Sequence, residues 1–294
     1  MSQETDGERR GLVKRRQLNE AELAEVEELA RACDAYEDLH LLLSVEQMRE
    51  RTENAYNDFL YYEDDRLVGA MALSEYGHEK RESSPMVHPA YRRRGIGSAL
   101  LNAAREEARR RGIEGLVLVC ERFSRSGNAF LQAVGARYDF SEHHMALVDF
   151  KERGNFLEQL QLLRATPADV DVIAHITAVS FGDAEERIKP HIAQDLLAPN
   201  RQYYIAKLGE EPVGSFNLYV TDESVGIYAF GVPPQYRRRG FGRQMLELII
   251  KQIQAESRKR ITLEVETTNT AAIALYESTG FRPVTTYGYY DLDV

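Results

Sequence analysis

Apolar positions along this chain follow two periods, and where one gives way to the other an element ends. Residues 12–18 alternate as a strand does, whereas Leu23, Val26, Leu29 and Ala30 recur at helical spacing across 20–33. A second short helix is expected over 45–51. The stretches 59–63 and 67–74 read as a hairpin turning at Asp64-Asp65, and 84–87 as a short strand. Ile96, Leu100, Leu101, Ala104 and Ala108 mark one face of a helix that stops near Gly112. A buried strand at 116–120, a helix at 124–134 and a final strand pair within 137–150 follow, and 151–158 reads as a linker.

The same order then returns. A strand is expected at 160–165, a helix opening at Pro167, where a missing N–H costs nothing, and another helix at 185–197. A hairpin at 203–208 and 213–220, a strand at 226–232 and a helix at 241–254 follow, then 261–266, 270–279 and 281–294. One constant shift lays Asp65-Arg-Leu-Val-Gly69 on Glu210-Glu-Pro-Val-Gly214, Leu73 on Leu218, the run from Val87 to Gly97 on that from Val232 to Gly242, and Gly135 on Gly280. Chance does not set two basic, glycine-bearing loops in register with matched strands before them and matched glycines after. Two copies of one domain are therefore expected, over 1–150 and 151–294.

Composition agrees and narrows the function. The 294 residues are long for one core and suit two domains of about 150 each. Hydrophobic residues make up 43%, enough for globular cores. No apolar run reaches membrane-spanning length and the polar stretch 1–10 has no apolar segment of the signal-peptide kind, so a soluble cytoplasmic protein is expected. Cys33 and Cys120 lie in different contexts without a partner motif and read as buried thiols in a reducing compartment, with no disulfide framework and no metal site. The net charge of −10 and a pI near 5.3 argue against a nucleic-acid scaffold despite arginine runs at 92–94 and 237–239. An acidic protein with local basic spots suits an anionic cofactor together with a cationic substrate.

Those arginine runs carry the candidate chemistry. Residues 227–243 read Ile-Tyr-Ala-Phe-Gly-Val-Pro-Pro-Gln-Tyr-Arg-Arg-Arg-Gly-Phe-Gly-Arg, a strand, a tight loop and a helix N-terminus. Glycines let the backbone come close, while unpaired N–H groups and the positive end of the helix dipole converge on one spot that fits a pyrophosphate. Arg237, Arg238 and Arg239 add charge-assisted bonds, and Gly240 and Gly242 remove the steric block. For a single loop a solvated turn is the plain alternative; its in-register twin weighs against that. The spacing Arg-x-x-Gly-x-Gly differs from the phosphate-loop and dinucleotide fingerprints. It resembles the acetyl-CoA loop of the GNAT superfamily of acyltransferases.

That resemblance implies an α/β fold in each half, a mixed sheet with helices on both faces, and acetyl-CoA as acyl-donor cosubstrate. It implies cofactor contacts at Phe230, Val232, Arg237, Arg238, Arg239, Gly240, Phe241, Gly242, Arg243 and Asn269, with Val87, Arg92, Arg93, Arg94, Gly95 and Gly97 as their counterparts in the first copy. The two-domain arrangement resembles that of mycothiol synthase. Past the loop the copies diverge. The run from Leu263 to Phe281 resembles ribosomal-protein N-terminal acetyltransferases, whose strand Glu, helix-start Asn and helix Tyr map to Glu264, Asn269 and Tyr276. The first copy has Val119, Ser124 and Leu131 at those offsets, so catalysis is expected in the second half only.

An amine attacks a thioester as the neutral base, and an alkylammonium must first lose a proton. Glu264, directly or through water, is the candidate base, and Tyr276 the candidate acid for the leaving thiolate. The oxyanion donor implied by the resemblance is a backbone N–H within 230–232. Asn269 either positions the cofactor arm or caps its helix. Plainer readings stand beside these: Glu264 and Glu266 share a strand face and suit an exposed edge, and Tyr276 suits packing on the sheet. Glu121, matching Glu266, reads as a surface group, the pair His143-His144 as a solvated strand end, and Asp183 and His191 as exposed helix residues. The acceptor, a small-molecule or peptide amine, has no readable signature; its specificity is expected from Phe181, Asp183, Tyr287 and Tyr289. The alternative function is an acyl-CoA-binding or interaction module without catalysis. RNA binding through the arginines is disfavoured by their spacing and the acidic chain.

Overall fold

The hairpin expected at Asp64-Asp65 forms because both residues take positive φ, 48° and 60°, the turn whose twist matches that of its strands. The helix expected from residue 20 begins at a capping box, with Asn19 Oδ1 accepting from Glu22 N while Glu22 Oε2 accepts from Asn19 N. The computed structural model describes residues 9–41, 45–49, 51, 54–76, 79–257 and 259–294. The polar stretch at 1–8 and position 50 of the expected second helix lie outside the described residues.

In chain order the first half comprises β1 (Gly11–Arg15), α1 (Glu20–Glu37), α2 (Val45–Arg49), β2 (Asp58–Glu63), β3 (Arg66–Ala72), β4 (Ser74–Tyr76), β5 (Lys80–Ser83), β6 (Met86–Val87), α3 (Ile96–Arg110), β7 (Gly115–Glu121), α4 (Arg125–Val134) and β8 (Arg137–Leu147). The second comprises β9 (Gln161–Arg164), α5 (Val170–Phe181), α6 (Glu185–Asp195), β10 (Arg201–Leu208), β11 (Glu211–Val220), β12 (Ser224–Gly231), α7 (Phe241–Glu256), β13 (Arg260–Glu266), α8 (Thr270–Thr279) and β14 (Phe281–Asp293). The β4–β5 hairpin was not expected, and the strand pair expected within 137–150 is one strand. Pro167 opens a short 3₁₀ turn ahead of α5 instead of the α-helix itself.

Two compact units result, one running to Ser141 and including Thr285–Val294, the other Glu142–Val284. This departs from the sequence division at 150/151, and the cause is backbone pairing. Residues 287–293 of β14 ladder antiparallel with β7, Tyr289 lying opposite Val119. Residues 142–146 of β8 ladder antiparallel with β13, His144 lying opposite Glu264. The last strand of each repeat thus completes the sheet of the other unit.

In the first unit β1, β2, β3 and β6 form one antiparallel set and β4, β5, β7 and β14 another, with β5 parallel to β7. Leu23, Val26 and Leu29 of α1 pack on Leu60 and Tyr62, while Leu100 and Ala104 of α3 and Leu131 of α4 pack on Leu116 and Leu118. In the second unit the order is β9-β10-β11-β12-β13 followed by the end of β8, all antiparallel except β12 with β13. Met245, Leu246, Ile249 and Ile250 of α7 are fully buried against Phe216, Ile227 and Leu263, each contributing about 1.5–3 kcal/mol of apolar burial. The opposite face carries α5 and α6, whose Ile173, Ile176 and Ile192 meet Tyr203 and Ile205. Among the described residues no helix is long and apolar enough to cross a membrane.

Candidate active site

The two arginine-glycine loops have one design. Arg237 folds back, its Nε donating to Val232 O at 2.8 Å and its Nη2 to Ser180 O at 2.9 Å. Arg92 does the same in the first unit, donating from Nε to Val87 O at 3.0 Å and from Nη1 to Ser126 Oγ at 2.9 Å. Arg239 pairs with Glu158 at 2.6 Å and Arg94 with Glu63 at 3.2 Å. The middle residue differs: Arg238 (φ 61°) and Arg93 (φ 65°) are exposed, left-handed and without an ion pair or hydrogen bond among the described residues. Each loop therefore spends its first and third arginines on holding its own shape and presents the second to solvent. Arg243 is likewise engaged internally, with Glu247, Ser278 and the Lys151 carbonyl. Burial works to raise the Glu247 carboxyl, but the Arg153, Arg243 and Gly154 donors together hold it below the usual range, and through them Glu247 ties the 151–158 segment to α7.

Gly95 and Gly240 are the N-caps of α3 and α7, with φ of 82° and 85°. A side chain at that φ costs about 1–2 kcal/mol, which is why glycine stands there. Neither cap offers a side-chain acceptor, so the first N–H groups of each helix stay open to an anion, and the left-handed residues before them turn further N–H groups the same way. Phe241 and Ile96, just inside, are buried and anchor the helix starts.

In the second unit the strands flanking this loop splay. β12 pairs with β13 only from Ser224 to Ile227, and at Ala229 the backbone takes φ 47°, while Gly231 keeps its pairing with Ser215 of β11 after a register shift. The β13-facing edge of 228–232 is thereby released. Val232 and Phe230 line the approach to Gly242. Tyr276 of α8 sits 6.3 Å from Phe230 and 6.1 Å from Phe281, ring centroid to centroid, both edge to face. It is 6% exposed, its hydroxyl has no hydrogen-bond partner among the described residues, and burial pushes its phenol up to about 12. It is therefore a protonated donor across the neutral range. Asn269 caps α8, its Oδ1 accepting from Ala272 N at 3.2 Å.

Glu264 is the first β13 residue past the splay. Its neighbours Leu263 and Val265 face the α7 core, so Glu264 faces the α5–α6 side, as does His144 opposite it. His144 Nδ1 lies 3.7 Å from Glu264 Oε1, with the side chains 25% and 20% exposed. Tyr228 shares this face; burial raises its phenol pKa first, and the charge of Glu264 adds to it. Arg201 lies over the Tyr219 and Tyr228 rings at 4.5 and 5.6 Å. Phe181, at the end of α5, is exposed and its ring borders Gly231. Glu266 hydrogen-bonds with Thr268.

The first unit has the cradle without these groups. A cavity of about 440 Å³ lies under its loop, lined among others by Val87, Gly97, Leu118, Cys120 and Phe130. Val119 and Leu131 are buried, and Ser124 caps α4 while donating to Glu37 Oε2 at 2.8 Å. Burial pushes the Cys120 thiol up to about 12 and raises that of Cys33, so both stay protonated.

Three expectations need correction. Glu121 is 4% exposed, not a surface group: its carboxylate accepts from His40 N and from Thr285 Oγ1, both at 2.6 Å. Tyr287 and Tyr289 belong to the first unit, where Tyr287 Oη donates to His40 O at 2.6 Å and Tyr289 stacks on Phe140 at 4.4 Å. The pair His143-His144 is no strand end but the middle of β8, and no sequence signal joined it to Glu264 because the repeat alignment pairs His144 with Tyr289.

The family model described as the GNAT acetyltransferase family matches residues 23–136 and again 170–281. The chain is 35% identical over 83 residues, 28% of its length, to the ribosomal protein bS18-alanine N-acetyltransferase of Escherichia coli, and the match spans 55% of that relative, about half its length. It is 25% identical to the mycothiol acetyltransferase of Corynebacterium glutamicum over 77% of this chain and 79% of that one. In fold it is similar to the solved structure of a tandem GNAT protein from the clavulanic acid biosynthesis pathway, with a TM-score of 0.71, 19% identity and coverage of 96% and 98% of the two chains.

Proposed function

The chain belongs to the GNAT acetyltransferase family, and from that premise we propose that its second unit transfers an acetyl group from acetyl-CoA to a primary amine by direct attack. What supports this reading is the strand edge released where β12 and β13 part after Ile227 and Leu263, with the Glu264 carboxylate on the first β13 residue past the parting and the protonated phenol of Tyr276 beside Phe230 of that edge. The open N–H groups at the start of α7, with Arg238, hold the diphosphate; acetyl-CoA supplies the activated acyl group. Glu264 takes the proton from the incoming ammonium, directly or through a water. The N–H groups within 230–232 face the developing oxyanion, and Tyr276 gives its proton to the departing sulfur. Asn269 fixes the start of α8 and thereby the height of Tyr276 above the splay.

The first unit, in this reading, binds acyl-CoA without turning it over. Its cavity and open helix start favour binding, and Val119 and Leu131 put apolar side chains at the places that Glu264 and Tyr276 hold in the second unit. The acceptor is a small-molecule or peptide amine reacting in the cytoplasm; a peptide beginning with alanine is the first probe, given the relative named above. The test is CoA release from acetyl-CoA with that peptide and a panel of amines. Turnover that Glu264→Gln lowers by about 100-fold or more supports the reading. Stabilisation by CoA with no turnover of any amine refutes catalysis and leaves a binding module.

A further inference from the structure

We infer that His144 is the positioning residue and proton outlet of Glu264, supplied to the second unit by a strand that the repeat assigns to the first. The inference rests on the reading of Glu264 as the base. Positions 264 and 119 are equivalent in the repeat, as are 144 and 289, and the ladders set each pair face to face. In the first unit the pair is Val119 and Tyr289, both buried and apolar in their packing. In the second unit the same two places hold a carboxylate and an imidazole 3.7 Å apart, within ion-pair range and a few tenths of an ångström beyond a hydrogen bond. One pair sets a carboxylate against an imidazole, and the other sets an aliphatic side chain against a stacked phenol ring.

The Glu264 carboxylate alone is a weak sink for an ammonium proton, and imidazole is intrinsically the stronger base by about two pH units. The proton accepted by Glu264 passes from its carboxyl to Nδ1 of the His144 imidazole, an atom shut off from solvent, and the ring, partly exposed as a whole, gives up a proton from its other nitrogen, Nε2. Glu264 is returned to the carboxylate and no electrons move. Glu142 and Glu266 form the next cross-strand pair on the same face, Tyr228 reaches it from β12, and Arg201 stands beyond Tyr228 over its ring.

The experiment compares His144→Ala, His144→Gln and Glu264→Gln with the unaltered chain, using acetyl-CoA and the amine it turns over fastest, and records melting temperature beside kcat and KM. The expected result is a fall in kcat of at least about tenfold for both His144 variants, with KM for acetyl-CoA within twofold and recovery of His144→Ala on adding imidazole. Should His144→Ala fail to fold, the glutamine variant decides, since it can hold the carboxylate but cannot take a proton. A full rate in His144→Gln, or in His144→Ala while Glu264→Gln is inactive, overturns the inference and leaves the base assignment intact. Loss of activity tracking loss of melting temperature without imidazole recovery assigns His144 a structural role and also overturns it. A full rate in Glu264→Gln, or no turnover of any amine by the unaltered chain, overturns the base assignment itself and the inference with it.

Discussion

Replacing Tyr276 by Phe separates packing from chemistry. The ring keeps its edge-to-face contacts with Phe230 and Phe281, so no cavity opens in the α7–α8 core. The hydroxyl it removes has no hydrogen-bond partner among the described residues and is not among the side-chain atoms shut off from solvent, so its loss strands no partner. Melting temperature should therefore hold, to within about 5 °C. Catalysis should not. If Tyr276 protonates the leaving sulfur, its loss lowers kcat about 100-fold, equivalent to about 2.7 kcal/mol of barrier. CoA release under saturating acetyl-CoA, paired with a melt of the same sample, reads both. Burial pushes the phenol up to about 12, so the unaltered enzyme should show no loss of rate attributable to this group below about pH 10. An unchanged kcat refutes the acid role, and a fall in kcat accompanied by a lower melting temperature refutes the separation of packing from chemistry.

Three further outcomes follow from the same geometry. Arg238→Ala should raise KM for acetyl-CoA about tenfold with little change in melting temperature, whereas Arg237→Ala, losing two carbonyl partners, should lower melting temperature; kinetics and a thermal melt distinguish them. Glu121→Ala strands the His40 N–H and the Thr285 hydroxyl and should destabilise the first unit by about 2–4 kcal/mol in urea unfolding. Arg51→Met leaves Asp58, fully buried, without its 2.6 Å partner and should cost about 3–5 kcal/mol at pH 8. Burial already pushes Asp58 up to about 6 against the pull of Arg51, so its folded pKa exceeds the unfolded value and stability falls as pH rises from about 4 to 6. The Arg51→Met deficit should accordingly shrink at pH 5, where Asp58 is protonated.

The repeat and its two cradles were legible in the sequence because they depend on spacing alone. Gly95 and Gly240 must take positive φ to open a helix, and the matched apolar residues after them must face a core. The division of labour among the arginines was not legible, since three adjacent identical residues give no sign that only the middle one takes the left-handed conformation. Short polar strands such as β4 and β5 carry no alternation to betray them. Most consequential, order along the chain assigned Tyr289 to the second unit and His144 to the first, and the ladders reverse both, because backbone hydrogen bonding is indifferent to repeat membership. Glu121 was misjudged for the same reason: its partner Thr285 comes from the far end of the chain.

The most direct test of the account is the crystal structure of the chain with acetyl-CoA bound. The account predicts density at the β12–β13 splay, with the diphosphate on the first N–H groups of α7 and the thioester sulfur within hydrogen-bond reach of Tyr276 Oη. Density only in the cavity of the first unit, with the β12–β13 splay closed by its own side chains, would contradict it.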